Sequence, residues 1–73
     1  MENTRLQISL KAARVNAKLS QEQVAKALHV GKQTVVNWEK GYFEPRISQM
    51  RDLSELYNMP IDNIFLQKES ILN

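Results

Sequence analysis

Four polar side chains share the outer face of one short predicted helix: Lys32, Gln33, Thr34 and Asn37. In helical geometry positions 33 and 37 lie on one face, with 34 beside them and 32 at the helix start. A face that is merely solvated more usually carries Glu and Lys in pairs. This face instead combines amide, hydroxyl and amine groups and has no acidic residue between positions 31 and 38. The pattern favours a surface that offers hydrogen bonds to a ligand.

The helix that positions these side chains is predicted to run from about Lys32 to Lys40. Val35 and Trp38 are its inward positions, and Gly41 is a natural helix stop. Gly31 is its N-cap, which is weaker than the Ser or Thr that usually caps a helix.

Composition limits the classes of protein to which the chain can belong. The 73 residues suit one domain with a small core, and the absence of cysteine excludes disulfides and thiolate metal sites. No apolar run approaches the roughly 20 residues that span a bilayer, and the N-terminus lacks the order of a signal peptide. No nucleophile–base pair, metal cluster or phosphate loop is visible. These features predict a cytoplasmic protein that is not an enzyme and has no catalytic residue, cofactor, metal or membrane partner.

The charge is unevenly placed along the chain. Residues 1–51 contain nine Lys or Arg and four Glu, a net charge of +5, whereas residues 52–73 have a net charge of −3. A basic face suits binding to a polyanion. The alternative is an ordinary fluctuation in solvated surface charge.

The spacing of apolar residues is helical throughout and predicts an all-α fold of five helices. The first is expected from about Thr4 to Asn16, opening with a Thr4–Gln7 capping box. The second follows Ser20 as N-cap, with Gln23 as its capping partner, and ends near His29. The fourth and fifth are expected at about 47–58, with Ile47, Met50, Leu53 and Tyr57 buried, and after Pro60, with Ile61, Ile64 and Phe65 inward.

Residues 21–40 form one unit, because the gap between the second and third helices is only about three residues. So short a turn makes the helices cross steeply, at roughly 90–120°. Ala25 is expected at the crossing, where a larger side chain would separate the helices, and Val30 on the inside of the turn.

This unit and its flanks resemble the Cro/cI-type (XRE-family) helix-turn-helix domain from roughly Leu10 to Phe65. The matching segments, in order, are LSQEQVAKAL, TVVNWEKG, EP and ISQMRDLSELYNMPIDNIF. The resemblance implies a five-helix lambda-repressor-like domain over residues 1–66, with the helix-turn-helix at helices 2 and 3 and a C-terminal tail at 67–73. It also implies a small phage Cro-like repressor that binds double-stranded DNA in a sequence-specific manner.

The resemblance assigns roles to particular residues. Lys32, Gln33, Thr34 and Asn37 occupy the base-contacting positions, and their groups suit base edges in the major groove. The expected contacts to the DNA backbone are Ser20, Gln21, Lys40, Tyr42 and Arg46. Arg46 has the minor groove as an alternative, and Gln21 has the alternative of being a solvated residue of the first turn.

A structural ion pair is also implied, between Arg14 and Glu39, with Arg14 leaning toward phosphate as its alternative role. Two positions depart from the family pattern. His29 stands where glycine is favoured and must tolerate a left-handed backbone, and Gly31 replaces the usual Ser or Thr cap.

Specific binding implies a homodimer on a pseudo-palindromic operator, since one helix contacts only a few base pairs. The candidate dimer contacts are Ile61, Phe65, Leu66, Ile71 and Leu72. The preferred alternative places Ile61, Ile64 and Phe65 in the internal core, and the other candidates have a frayed tail as their alternative. The alternative function is an anti-repressor, modulator or antitoxin that binds a companion repressor or a toxin.

Overall fold

The computed structural model describes residues 8–66, without the side chain of Phe65. Four α-helices lie between two short strands and a 3₁₀ turn. In chain order these elements are β1 (Ile8–Ser9), α1 (Leu10–Asn16), α2 (Gln21–Leu28), α3 (Lys32–Lys40), α4 (Ile47–Tyr57), the 3₁₀ turn (Ile61–Asn63) and β2 (Ile64–Phe65). The mainly helical class and the helix-turn-helix at α2 and α3 are as predicted.

The predicted fifth helix is wrong. After Pro60 the chain makes one 3₁₀ turn, in which the Asn63 N–H donates to the Pro60 carbonyl at 2.9 Å. Ile64 is then extended, with φ −98° and ψ 123°, and pairs in parallel with Ile8. A β-branched residue fits this extended backbone well, and its side chain still reaches the core.

The first helix begins later than predicted. Ser9 is extended and caps α1, since its Oγ accepts from the Ala12 N–H at 3.0 Å. Ile8 and Ser9 form β1, opposite Ile64 and Phe65. The alternation of Leu6, Ile8 and Leu10 with polar residues is a local strand signal that the helical interpretation overlooked. The partner strand lies at the far end of the domain. The predicted capping box at Thr4 and Gln7 lies outside the described residues.

Each of the four α-helices in residues 8–66 ends in the same type of hydrogen-bonded turn. At α3, Gly41 N–H donates to the Trp38 carbonyl and Tyr42 N–H to the Asn37 carbonyl, at 3.2 and 3.0 Å. This is the Schellman pattern, in which one residue adopts a left-handed backbone. The left-handed residues that end the helices are Lys18, His29, Gly41 and Asn58. Three of them carry a side chain, so the fold accepts some backbone strain at these points.

The core lies where all four helices meet. Val24, Val35 and Leu53 are its largest fully buried side chains, and Trp38 and Tyr57 are also buried in it. These residues come from α2, α3 and α4, so the core fixes the position of α3 against the rest of the domain.

Ile47 does not belong to this core, although its spacing predicted burial. It is 73% exposed. As the first residue of α4 it continues the apolar period of Met50 and Leu53 at a point that no other element of residues 8–66 covers.

Candidate nucleic-acid interface

The turn between α2 and α3 has a fixed geometry. His29 has φ 59° and ψ 43°, the left-handed conformation that the sequence predicted. Val30 N–H donates to the Ala25 carbonyl at 2.9 Å, and the Val30 side chain packs against the core. Ala25 is 5% exposed where α2 packs against α3. The second helix therefore leads into α3 without a flexible link.

The N-terminus of α3 is capped by backbone alone. The Gly31 carbonyl accepts from the N–H groups of Thr34 and Val35, and no side chain caps the helix. Val35 and Trp38 are buried, so the opposite face of α3 is fixed toward solvent.

The outer face of α3 has a side-chain hydrogen bond that was not predicted from the sequence. Gln33 Nε2 donates to Asn37 Oδ1 at 3.1 Å, across one helical turn. Gln33 is exposed, whereas Asn37 and Thr34 are half-buried. Residues four apart on a helix are neighbours, and this is the signal that would have predicted the bond.

An acidic residue also lies beside this face. Lys32 Nζ is 3.9 Å from the Glu22 carboxylate of α2, and the two side chains are 55% and 77% exposed. The outer face is free of acidic residues within α3, but the fold brings a carboxylate next to it. The sequence of α3 alone could not show this contact.

The N-terminus of α2 is capped by reciprocal hydrogen bonds, as predicted. Ser20 Oγ accepts from the Gln23 N–H at 3.0 Å, and Gln23 Oε1 accepts from the Ser20 N–H at 2.8 Å. The backbone N–H groups of Gln21 and Glu22, the first two of the helix, have no intrahelical acceptor. Such groups can donate to an anion.

Three helices are linked by one polar network. Arg14 Nε and Nη2 donate to the two carboxylate oxygens of Glu39, at 2.6 and 3.3 Å. Arg14 Nη1 also donates to the Leu19 carbonyl at 2.9 Å, and Gln21 Nε2 donates to Glu39 Oε1 at 3.0 Å. The Arg14 and Glu39 side chains are only 12% and 6% exposed. Glu39 therefore holds α1, α2 and α3 together at the end of α3.

Tyr57 of α4 lies close enough to Glu39 and Arg14 for their charges to affect the pKa of its hydroxyl. Burial raises the pKa of the Tyr57 hydroxyl above its ordinary value, the Glu39 carboxylate raises it further, and Arg14 acts in the opposite direction. The hydroxyl is therefore held in its neutral form.

The remaining predicted DNA contacts lie at the last residue of α3 and in the segment that follows it. Lys40 Nζ is 5.9 Å from the centre of the Tyr42 ring, within the range of a cation–π contact. Arg46 precedes α4, and its backbone N–H donates to Gln49 Oε1 at 2.7 Å. Its side chain is exposed, as are those of Lys40 and Tyr42.

The candidate dimer residues fall in different environments. Ile61 is 41% exposed, and Leu66 is half-buried against the core. Ile71, Leu72 and the Phe65 side chain lie outside the described part of the structure. Three large apolar side chains of residues 8–66 that were not predicted to form a surface are exposed: Val15 at 54%, Phe43 at 64% and Ile47 at 73%.

Within residues 8–66 no helix has the length and apolar character needed to cross a membrane. No group of three His, Cys, Asp or Glu side chains that could hold a metal ion occurs in the same residues.

The sequence matches one protein family and is similar to several transcriptional regulators. The family described as Helix-turn-helix matches residues 10–64. The chain is 35% identical over 57 residues to the cryptic phage CTXphi transcriptional repressor RstR of Vibrio cholerae, covering 78% of this chain and 51% of that protein. It is 33% identical over 60 residues to the HTH-type transcriptional regulator ImmR of Bacillus subtilis, covering 82% of this chain and 47% of ImmR.

An archaeal protein matches over nearly its whole length. This is an uncharacterized HTH-type transcriptional regulator of Methanocaldococcus jannaschii, 32% identical over 60 residues, covering 82% of this chain and 91% of that protein. The chain thus spans about half the length of RstR and ImmR and about nine-tenths of the archaeal regulator.

Proposed function

Because the chain belongs to the helix-turn-helix (XRE) family of DNA-binding transcriptional regulators, we propose that it is a repressor that places α3 in the major groove of an operator. The observation that carries the proposal is the division of α3 into two faces. Val35 and Trp38 are buried in the core, while the polar face of Gln33 and Asn37 is held outward by the fixed turn at His29.

The polar face has the chemistry that base recognition requires. An amide offers a donor and an acceptor together, which suits adenine, and a Lys ammonium donates to guanine. The Thr34 hydroxyl can donate or accept, and its methyl group suits contact with thymine. The proposed base contacts are Lys32, Gln33, Thr34 and Asn37.

Phosphate contacts would hold α3 in register in the groove. The N–H groups at the start of α2 and the second amide hydrogen of Gln21, whose first is donated to Glu39, are available donors. Lys40 is the last residue of α3, Tyr42 and Arg46 follow it, and all three are exposed. The proposed backbone contacts are therefore Ser20, Gln21, Lys40, Tyr42 and Arg46, which position the protein without selecting sequence.

The proposed active species is a homodimer in the cytoplasm on a pseudo-palindromic operator, with half-sites about one helical turn apart. Residues 1–66 would form the DNA-binding domain, and the tail 67–73 would contribute to dimerisation. The role as a repressor follows the name of RstR. The exposed Ile61 is the described residue that supports a C-terminal dimer contact.

The experiment is a binding assay on duplexes from upstream of the gene and within its operon, with a randomised duplex pool to define the preferred sequence. Log affinity should fall linearly with log salt, with a slope of about −0.9 for each phosphate contacted. Gln33→Ala should lower affinity for the preferred duplex by roughly 5-fold to 100-fold and leave non-specific affinity unchanged. Lys40→Ala should weaken binding to all sequences and reduce the slope by about one.

Asn16→Ala is the matched control, because it removes an exposed amide from α1 where no contact is proposed. Absence of DNA binding at low salt, together with tight binding to a neighbouring repressor or toxin, would contradict the proposal. That result would favour the alternative function as an anti-repressor, modulator or antitoxin.

A further inference from the structure

The hydrogen bond between Gln33 and Asn37 joins two side chains that family resemblance treats as separate base contacts. It lies on the exposed face of α3, at 3.1 Å between Gln33 Nε2 and Asn37 Oδ1. A bond that forms before DNA is present restricts which donors and acceptors each amide still offers.

The remaining groups follow from the inventory of a primary amide, which has two N–H donors and one carbonyl oxygen with two lone pairs. The bond uses one Gln33 donor and one lone pair of Asn37 Oδ1. Gln33 therefore keeps its carbonyl oxygen and one N–H, and these lie side by side when the hydrogen donated to Asn37 is the one trans to the carbonyl oxygen. This is the acceptor and donor pair that matches N6 and N7 of adenine.

Asn37 is in a different position. Its oxygen is engaged by Gln33, and its side chain is half-buried one turn further along the helix. The Asn37 amide can keep its bond to Gln33 while Gln33 contacts a base. The bond also restricts rotation of the Gln33 side chain, which is otherwise exposed and rich in rotamers, so less conformational entropy is lost on binding.

We propose that Asn37 is a positioning residue rather than a separate base contact, and that Gln33 and Asn37 together recognise one A·T base pair as a single unit. Gln33 makes the bidentate contact with adenine, and Asn37 orients the Gln33 amide by accepting its second hydrogen. The proposal rests on the proposed function, because it requires α3 to lie in the major groove.

The test measures affinity for the preferred duplex and for duplexes changed at each single base pair. The proteins are the wild type, Gln33→Ala, Asn37→Ala and the double variant. Asn37→Ala should lose discrimination at the same base pair as Gln33→Ala, by roughly 5-fold or more. The double variant should lie within about 3-fold of Gln33→Ala, because a coupled pair is not additive. A loss of discrimination at different base pairs, or losses that multiply, would overturn the proposal while leaving the proposed function intact.

Asn37→Asp provides a second readout that does not depend on losing the side chain. The carboxylate still accepts from Gln33 Nε2 but cannot donate to a base. This variant should bind all duplexes more weakly because of its charge, yet keep the preference at the Gln33 base pair. Loss of that preference, as in Asn37→Ala, would overturn the acceptor role.

A folding control and the wild-type binding result distinguish an unfolded variant, a failed inference and a failed proposed function. Circular dichroism and thermal unfolding should show folded variants, since Ala is a better helix former than Asn or Gln. If the wild type selects no sequence from the randomised pool, the proposed function fails and the inference fails with it.

Discussion

Glu22 places a negative charge beside the residues of α3 that are proposed to face DNA. Its carboxylate is 3.9 Å from Lys32 Nζ, and both side chains are largely exposed. An exposed ion pair of this kind contributes little to folding. Its effect on DNA binding is larger, because Lys32 must leave Glu22 to contact a base and the carboxylate repels nearby phosphates.

Glu22→Gln is therefore expected to strengthen DNA binding. Removing one charge at this distance corresponds to about 1 kcal/mol in water, or roughly 5-fold in affinity at low salt. The gain should shrink as salt rises, because exposed charges are screened. A salt series of dissociation constants measures both effects.

Glu55→Gln is the control for Glu22→Gln, since it removes the same charge from an exposed position on α4, where Glu55 lines a groove with Ala27 and Leu28. An equal gain in both variants would indicate a general effect of net charge. No gain in Glu22→Gln would show that Glu22 does not lie near the bound DNA.

The residues of the outer face could be predicted from α3 alone, because helical geometry separates them from Val35 and Trp38. Glu22 could not, because its position depends on the crossing of two helices. The Gln33–Asn37 bond lies between these cases. Its spacing is visible in the sequence, but the direction in which the amides donate and accept is fixed only by side-chain geometry.

At the scale of elements, the ends of the helices explain why the interface is rigid. His29 ends α2 in the left-handed conformation, and its N–H and that of Val30 donate to the Lys26 and Ala25 carbonyls at 3.3 and 2.9 Å. A residue with a side chain costs about 1 kcal/mol in this conformation, whereas glycine adopts it freely. The helix-turn-helix therefore contains strain at its turn.

His29→Gly should stabilise the protein by up to about 0.6 kcal/mol, because relief of this strain exceeds the greater entropy of glycine in the unfolded chain. For a domain of this size the midpoint of thermal unfolding should rise by up to about 5 °C.

His29→Ala is the matched control, because it removes the imidazole but keeps Cβ and the strain. An equal rise in both variants would mean that the imidazole, and not the backbone, is the source of the effect.

Elements with local signals were predictable, and those that depend on distant partners were not. The bounds of α2 and α3 follow from Ser20, His29 and Gly41, whose capping preferences act within a few residues. The strands β1 and β2 pair residues from opposite ends of the described chain. Around β2, Ile61, Ile64 and Phe65 fit a helical period, and only tertiary pairing selects a strand there. Around β1 the alternation of Leu6, Ile8 and Leu10 with polar residues was a local strand signal that the helical interpretation overlooked.

At the scale of the whole molecule, Glu39 connects the stability of the fold to the position of the helices that are proposed to contact DNA. It accepts hydrogen bonds from Arg14 of α1 and Gln21 of α2, and its charge raises the pKa of Tyr57 of α4. A buried ion pair can be neutral for stability compared with apolar residues, yet loss of one partner is costly because it leaves an unpaired buried charge. Replacing Glu39 alone and replacing it together with Arg14 therefore have different effects on stability. Comparing the two variants separates the structural role of Glu39 from its proposed role in positioning DNA contacts.

Glu39→Ala should destabilise the protein by about 3 kcal/mol, because the Arg14 guanidinium, only 12% exposed, loses its partner. The double variant Arg14→Met/Glu39→Leu should recover most of this stability, since apolar side chains of similar size can replace a buried pair. It should still bind DNA more weakly, because Gln21 has lost the acceptor that orients its amide toward phosphate. Urea unfolding and DNA titration of the two variants measure the two roles independently. A double variant that binds DNA as tightly as the wild type would show that Glu39 acts on the fold alone.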